Sequence, residues 1–214
     1  MRKVLVIAIS VCLFAATSFP AQAAERPTSV ASCKKSTAKP RVPATLKQPM
    51  TPAKKIPATL TLNTNCGPIR ATLLTKRAPQ TTTNIAFLAN SKYYDGTICH
   101  RLTTGGLFVL QCGDPTGTGS GGPNFSYRDE NLPQAVEANY PAGVVAMANS
   151  GANTNGSQFF IVYEDTSLPP SYTIWGKVTK GLDIVQAIAK EGVIDGKSDG
   201  LPKRAIAIEK VKVR

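Results

Sequence analysis

A chain of 214 residues with 42% hydrophobic content has the length for one ordinary domain plus appendages and excludes two large ones. The net charge of +12 invites a nucleic-acid reading, but residues 24–57 hold eight Lys and Arg against Glu25 alone, while residues 58–214 hold fifteen against twelve acids. The excess charge belongs to the tail, so no specific nucleic-acid partner is expected.

Met1-Arg2-Lys3, an apolar run over residues 4–16 and the small-x-small pattern Ala21-Gln22-Ala23 predict a signal peptide over residues 1–23, cut after Ala23. The run is too short to span a bilayer. The chain is therefore expected outside the cytoplasm, in a periplasm, cell envelope or medium. Residues 24–57 are rich in Lys, Pro, Thr and Ala with few large apolar side chains, which predicts a disordered basic linker. Its cations would suit loose contact with anionic envelope polymers. Val30-Ala31-Ser32-Cys33 has the letters of a lipoprotein cleavage box, but Glu25, Arg26 and Pro27 separate it from the apolar run.

Order is expected over residues 58–214. Residues 59–64 and 69–74 alternate at period two about an Asn65-Cys66-Gly67-Pro68 turn, which predicts a hairpin. Residues 80–91 place Ile85, Leu88 and Ala89 on one face after threonines suited to a helix start. Strands follow at 97–102, 108–112, 144–148, 158–163 and 173–178, separated by Gly, Pro, Asn and Asp clusters. Residues 181–189 return to helical period before Gly192, and residues 205–213 alternate again. Many antiparallel strands with one early and one late helix predict a mainly β fold, a closed barrel capped by two α-helices.

Removal of the leader takes Cys12 and leaves Cys33, Cys66, Cys99 and Cys112 in an oxidising compartment. Cys99 and Cys112 lie on the two arms of one hairpin and are the preferred disulfide, with Cys33 and Cys66 either paired or free. Strand parity counts against the preferred pair, since Cys99 shares the parity of Arg101 while Cys112 is one residue off Gln111.

The stretch from His100 to Pro123 sets Arg101 before a short apolar run, Gln111 and a glycine-rich loop, which reads as a site for an uncharged, extended ligand. His100 is the one histidine, and no carboxylate pair or metal-ligand cluster stands close to it in sequence, so neither a metal nor another cofactor is expected. Gly119-Ser120-Gly121-Gly122-Pro123 echoes the nucleophile loop of chymotrypsin-like proteases, but the Asp before the Ser is missing and His100 lies too near in sequence.

Two runs resemble the cyclophilin family of peptidyl-prolyl isomerases. Cys99-His100-Arg101, Phe108-Val109-Leu110-Gln111-Cys112-Gly113-Asp114 and Gly119-Ser120-Gly121-Gly122 are similar to its first signature. Met147-Ala148-Asn149-Ser150-Gly151-Ala152-Asn153-Thr154-Asn155-Gly156-Ser157-Gln158-Phe159-Phe160-Ile161 is similar to its second. The resemblance covers about residues 59–213 and implies a closed eight-stranded antiparallel barrel with the site on its outer face. It implies Arg101 as the catalytic arginine, working with Phe108, Gln111 and Asn149. Phe108, Val109, Phe160 and Leu168 would form the proline pocket, Tyr172 would stand at its edge, and Gly119, Ala148 and Gln158 would line the peptide groove with Gln111 and Asn149. Parity agrees for Gln158 and Phe160, which are two apart and share a strand face.

The implied partners are proline-containing polypeptides, bound by a monomer without a cofactor. The chain departs from the family in two extra residues near Gly105-Gly106, in Val109 for Met, in Tyr172 for His, and in Ser167 where some members carry Trp. The last removes an indole contact and argues against tight cyclosporin binding. The rival reading is a binding module of the same fold that holds proline segments without turning them over.

Overall fold

The structure is a computed structural model that describes residues 32–214. The expected signal peptide and residues 24–31 of the linker lie outside the described residues.

Strand β1 (Thr59–Thr64) and strand β2 (Gly67–Leu73) alternate as their sequences predict, turning Leu60, Leu62, Ile69, Ala71 and Leu73 into the core. Helix α1 (Pro79–Asn90) follows, then β3 (Thr97–Ile98), β4 (Arg101–Thr103), β5 (Val109–Cys112), β6 (Val144–Met147), β7 (Phe159–Val162) and β8 (Ile174–Lys180). Helix α2 (Leu182–Glu191), β9 (Asp199–Gly200) and β10 (Ala207–Val213) complete the chain.

Among the described residues, ten strands form one antiparallel sheet in the order β3-β10-β1-β2-β8-β6-β7-β5-β4-β9. This corrects the expected closed eight-stranded barrel, because the edge strands β3 and β9 are not hydrogen-bonded to each other. Residues 97–102, read as one strand, break at Cys99 and His100. Ile98 pairs with Ala207 on β10, while Arg101 pairs with Gln111 on β5. The break also removes the parity objection, since alternation does not carry from Arg101 back to Cys99. Cys99 is bonded to Cys112, and Cys33 to Cys66. The Cys33 sulfur is thereby engaged within the chain, which leaves it unavailable to a lipid.

The curled sheet encloses a core in which Trp175, Phe159, Tyr94, Leu102, Leu110 and Ile161 are almost wholly buried. Helix α1 adds Ile85, Leu88 and Ala89 to it, and α2 adds Val185 and Ile188. The start of α1 is not capped by its own threonines. Glu130, from a distant loop, accepts the Gln80 and Thr81 backbone N–H groups at 3.1 and 2.7 Å and the Thr81 hydroxyl at 2.7 Å. A carboxylate there meets two free N–H groups and the positive end of the helix dipole.

Residues 32–57 form no helix or strand, yet they do not hang free. They are laid along the domain as a strap. Beyond the Cys33 bond, Lys34 N–H donates to Asn65 O at 2.9 Å and Arg41 N–H to Pro115 O at 2.9 Å. The Arg41 guanidinium donates to Asp95 O and Tyr93 O at 2.9 and 2.6 Å. Leu46 N–H reaches Asn124 Oδ1, Gln80 Nε2 reaches Pro49 O, and Ala53 N–H reaches Thr83 Oγ1, at 2.8, 2.7 and 3.0 Å. Composition predicts disorder because it counts apolar burial; this segment is held mainly by backbone hydrogen bonds and a covalent link.

Candidate active site

Antiparallel pairing aligns side chains in rows across the sheet. Arg101 on β4 stands opposite Gln111 on β5, Gln111 opposite Phe160 on β7, and Phe160 opposite Ala146 on β6. Their sequence neighbours Leu102, Leu110, Ile161 and Val145 point into the core, so this row lies on the outer face. There Val109, Tyr140, Val144, Ala146, Phe160 and Val162 make a second, smaller apolar cluster.

On that cluster sits a cavity of about 140 Å³. Val109, Phe160, Leu107, Leu168 and Tyr172 give it apolar walls, and Arg101, Gln111, Ala148 and Asn149 stand around them. The Phe160 and Tyr172 rings meet edge to face at 5.6 Å. The segment carrying Leu168 and Tyr172 has no regular structure and is clamped by side chains. Asn139 Nδ2 donates to Leu168 O at 2.8 Å and its Oδ1 accepts Leu168 N–H at 3.0 Å. The Tyr140 hydroxyl donates to Tyr172 O at 3.1 Å and accepts Tyr172 N–H at 3.0 Å. Burial pushes the Tyr140 phenol up to about 12, which keeps its proton in place for that donation. Asn149 Nδ2 holds Ser171 O at 2.8 Å.

A second cavity, about 220 Å³, adjoins the first and shares Gln111, Ala148 and Asn149 with it. Its far wall is Gly119, Ser120, Gly121, Gly122 and Pro123, and its floor includes Gln158 and Ser157. The glycine loop is wrapped around the buried Asp114 carboxylate. Thr116 N–H and Oγ1 donate to Oδ1 at 2.7 Å each, and Gly119 and Gly121 N–H donate to Oδ2 at 2.7 and 3.1 Å. Burial alone would raise the Asp114 pKa, but these hydrogen bonds from Thr116, Gly121 and Gly119 outweigh it and hold the carboxyl below its usual range. A Cβ at Gly121 would collide with the Asp114 carboxylate and the Thr116 side chain, so glycine is required there.

A chain of hydrogen bonds joins the two cavities. Arg101 Nη1 donates to Gln111 Oε1 at 3.1 Å, Gln111 Nε2 to Gln158 Oε1 at 2.8 Å, and Gln158 Nε2 to Gly119 O and Gly121 O at 2.8 Å each. The other side of the guanidinium is taken by Asp199, with Nε to Oδ1 at 2.8 Å and Nη2 to Oδ2 at 2.7 Å. That contact raises the Arg101 pKa and lowers that of Asp199, each through the hydrogen bonds of the pair first.

The site therefore gathers Arg101, Val109, Gln111, Ala148, Asn149, Phe160, Leu168 and Tyr172 around one cavity, with Gly119 and Gln158 in the next. Phe108 is a correction. It packs against the main core with its ring 6.0 Å from that of Tyr163, and Leu107 takes the place expected for it. Gln111 faces outward, so by alternation Val109 and Leu107 share its side while Phe108 faces in. Sequence reading also missed Asp199, which lies 98 residues from Arg101 in a Lys197-Ser198-Asp199-Gly200 run that looks like an ordinary turn. The His100 ring is buried, and among the described residues neither of its nitrogens has a hydrogen-bond partner. Burial lowers its pKa and favours the neutral ring, and no serine hydroxyl is hydrogen-bonded to it among the described residues, so the nucleophile pairing that the loop sequence echoes is not formed.

The arrangement presents a cation and amide groups along one edge of a small apolar pocket, with a groove running away from it. Residues 59–213 match the family model described as cyclophilin type peptidyl-prolyl cis-trans isomerase/CLD. A protein of Mycobacterium tuberculosis named probable peptidyl-prolyl cis-trans isomerase B is 41% identical over 182 residues, covering 80% of this chain; the chain spans 58% of that relative's length. Peptidyl-prolyl cis-trans isomerase-like 1 of Neurospora crassa is 38% identical over 71% of this chain and 91% of its own. The crystal structure of a cyclophilin type peptidyl-prolyl cis-trans isomerase from Cryptosporidium parvum superposes with a TM-score of 0.62 at 32% identity, covering 75% of this chain and 98% of that one. The same protein has been solved in the presence of the dipeptide Ala-Pro.

Proposed function

The chain belongs to the cyclophilin-type peptidyl-prolyl cis-trans isomerase family, and on that premise we propose that it catalyses cis-trans interconversion of X-Pro bonds in extracytoplasmic polypeptides, assisting their folding. One observation carries the reading: the Arg101 guanidinium stands on the rim of a pocket walled by Val109, Phe160, Leu168 and Tyr172.

Rotation about a peptide bond is opposed by roughly 18–20 kcal/mol because the nitrogen lone pair is delocalised into the carbonyl. X-Pro bonds populate both isomers but exchange slowly enough to limit folding. The apolar walls hold the prolyl ring and exclude water from it. As the bond twists, the prolyl nitrogen regains its lone pair, and an N–H of Arg101 donates to it. That hydrogen bond is absent in either planar ground state, so it stabilises the transition state selectively. The amides of Gln111, Asn149 and Gln158 and the backbone of the Gly119 loop hold the flanking peptide still while the other side turns. No proton is transferred and no covalent intermediate forms in this reaction, and none of these steps calls on His100, whose ring nitrogens have no hydrogen-bond partner among the described residues.

Two features support a location outside the cytoplasm: the leader pattern of residues 1–23, and four cysteines spent on two disulfides, which suit an oxidising compartment. The lysines of the strap suit loose attraction to anionic envelope polymers. Exchange of a short Ala-Pro peptide, followed by NMR with the oxidised protein and with Arg101→Ala, tests the activity. Acceleration that the variant loses by about tenfold or more, the size of one lost transition-state hydrogen bond to a charged donor, is the expected result. Binding of the peptide without acceleration by the parent would replace the isomerase with a proline-binding module.

A further inference from the structure

Asp199, which makes a two-point contact with Arg101, lies outside the two sequence signatures, in a part of the chain they do not describe. Asp199 sits on β9, a two-residue strand hydrogen-bonded to β4, where Thr103 pairs with Asp199 and Leu102 with Gly200. The segment around it is braced at each level. Ile194 N–H donates to Leu201 O at 3.0 Å, Lys203 N–H donates to Gly192 O at 2.8 Å, and Arg204 forms an ion pair with Glu191 below them. A Cβ on Gly200 would stand 2.7 Å from Val193 Cγ1, so glycine allows the two sides of this excursion to close.

The same segment meets the turn that joins β4 to β5, where the chain is two residues longer than the family pattern. Thr104 N–H donates to Ser198 O at 2.8 Å, and a Cβ on Gly105 would lie 3.0 Å from Ser198 Cβ. The longer turn thus does two things. It delivers Leu107 to the pocket wall, and it forms the seat on which the residue before Asp199 rests.

We propose that Asp199 is the positioning residue for Arg101, setting the plane of the guanidinium so that its free N–H groups face the prolyl nitrogen. This rests on the isomerase reading above. A guanidinium has five N–H groups. Asp199 takes two and Gln111 one, which leaves two, one on each Nη, for the peptide. An arginine held by Gln111 alone would be fixed at one point and free to turn about it; the carboxylate supplies the second and third points and removes that freedom before substrate arrives. Both side chains are about half exposed, 38% for Arg101 and 51% for Asp199, so the gain is orientation more than binding energy.

The test compares the full, oxidised chain with Asp199→Asn, Asp199→Ala, Asp199→Glu, Arg101→Ala and the Asp199→Asn/Arg101→Ala double variant. Exchange kinetics on one X-Pro peptide and the ¹⁵N shift of Arg101 Nε–H are the readouts, and the backbone amide spectrum checks the fold of each variant. Asp199→Asn is expected to lower kcat/KM about two- to fivefold, the range of a half-exposed ion pair, with the loss in kcat rather than KM. It should move the Arg101 Nε–H signal, and Asp199→Glu should restore part of both. In the Arg101→Ala background the Asp199 substitution should add nothing. An unmoved Nε–H signal, or an equal further loss in the double variant, would overturn the proposal, the second because it would mean a structural role not routed through Arg101. Should the parent itself fail to accelerate exchange, the isomerase reading falls, and the Nε–H signal alone decides: displaced in Asp199→Asn it supports the positioning role, unmoved it rejects it.

Discussion

Asp114→Asn keeps the size of the side chain and removes its charge, and the structure says what that does to the groove. In the parent, Oδ1 accepts two donors from Thr116, and Oδ2 accepts the Gly119 and Gly121 N–H groups. An amide that keeps its oxygen on Thr116 turns its own NH₂ toward the two glycine N–H groups, donor against donor. One that reverses leaves the Thr116 donors facing the NH₂ instead. Either way two donors lose their acceptor at a site where the side chain is fully buried. At about 1–3 kcal/mol for each buried unpaired donor, and with some relief because the loop itself reaches water, the expected loss is about 3 kcal/mol. For a chain of this size that is a fall in Tm of roughly 6–12 °C.

Chemical denaturation and calorimetry on the oxidised protein measure it. The sign with pH is also fixed. The folded pKa of Asp114 lies below its ordinary 3.8, so the carboxylate's contribution is present above the unfolded value and is lost as pH falls through the folded one. The Asn variant should therefore lose less stability than the parent between about pH 4 and pH 2. A loss under about 1 kcal/mol at neutral pH, or parallel acid profiles for the two proteins, would refute the account of the loop as built around a charged acceptor.

Converting Cys33 and Cys66 to Ser should release the strap, with a stability loss of up to about 3–4 kcal/mol from opening a 33-residue loop; limited proteolysis within residues 34–57 under otherwise native conditions reads the release directly. Glu130→Gln should cost about 1–2 kcal/mol through the start of α1, since two backbone N–H groups and the Thr81 hydroxyl lose a charged acceptor, and thermal unfolding measures that loss. Cyclosporin should bind this protein more weakly than it binds relatives that carry Trp at the position of Ser167, and substitution Ser167→Trp should tighten it; calorimetric titration of both proteins decides.

Local order was legible because it depends on residues a few positions apart. The alternation of residues 59–64, the Asn65-Cys66 turn and the spacing of Ile85 and Leu88 each predicted an element that the structure contains. The two signatures placed Arg101, Gln111, Asn149 and Phe160 together, and the row that brings Arg101 beside Gln111 and Phe160 follows from strand parity once the strands pair. What failed did so at breaks and bulges. Phe108 was expected in the pocket because the resemblance carried it over together with Val109, although alternation lets only one of two consecutive strand residues face outward. One strand was expected over residues 97–102 because nothing local marks the switch from β10 to β5 as neighbour.

The sequence, through its two family-like signatures, named most of this site, and strand parity independently supported only that Gln158 and Phe160 share a face. The sequence also determined where charge and cysteine lie along the chain. Only the tertiary structure decided who stands beside whom across long intervals: Asp199 with Arg101, Glu130 with the start of α1, Cys33 with Cys66, and the strap with the loops it crosses. Those contacts are single hydrogen bonds, ion pairs and a covalent link, each made by a residue type common on any surface. They leave no periodic trace in sequence, because their geometry exists only after the sheet has curled and brought distant segments within about 3 Å of one another.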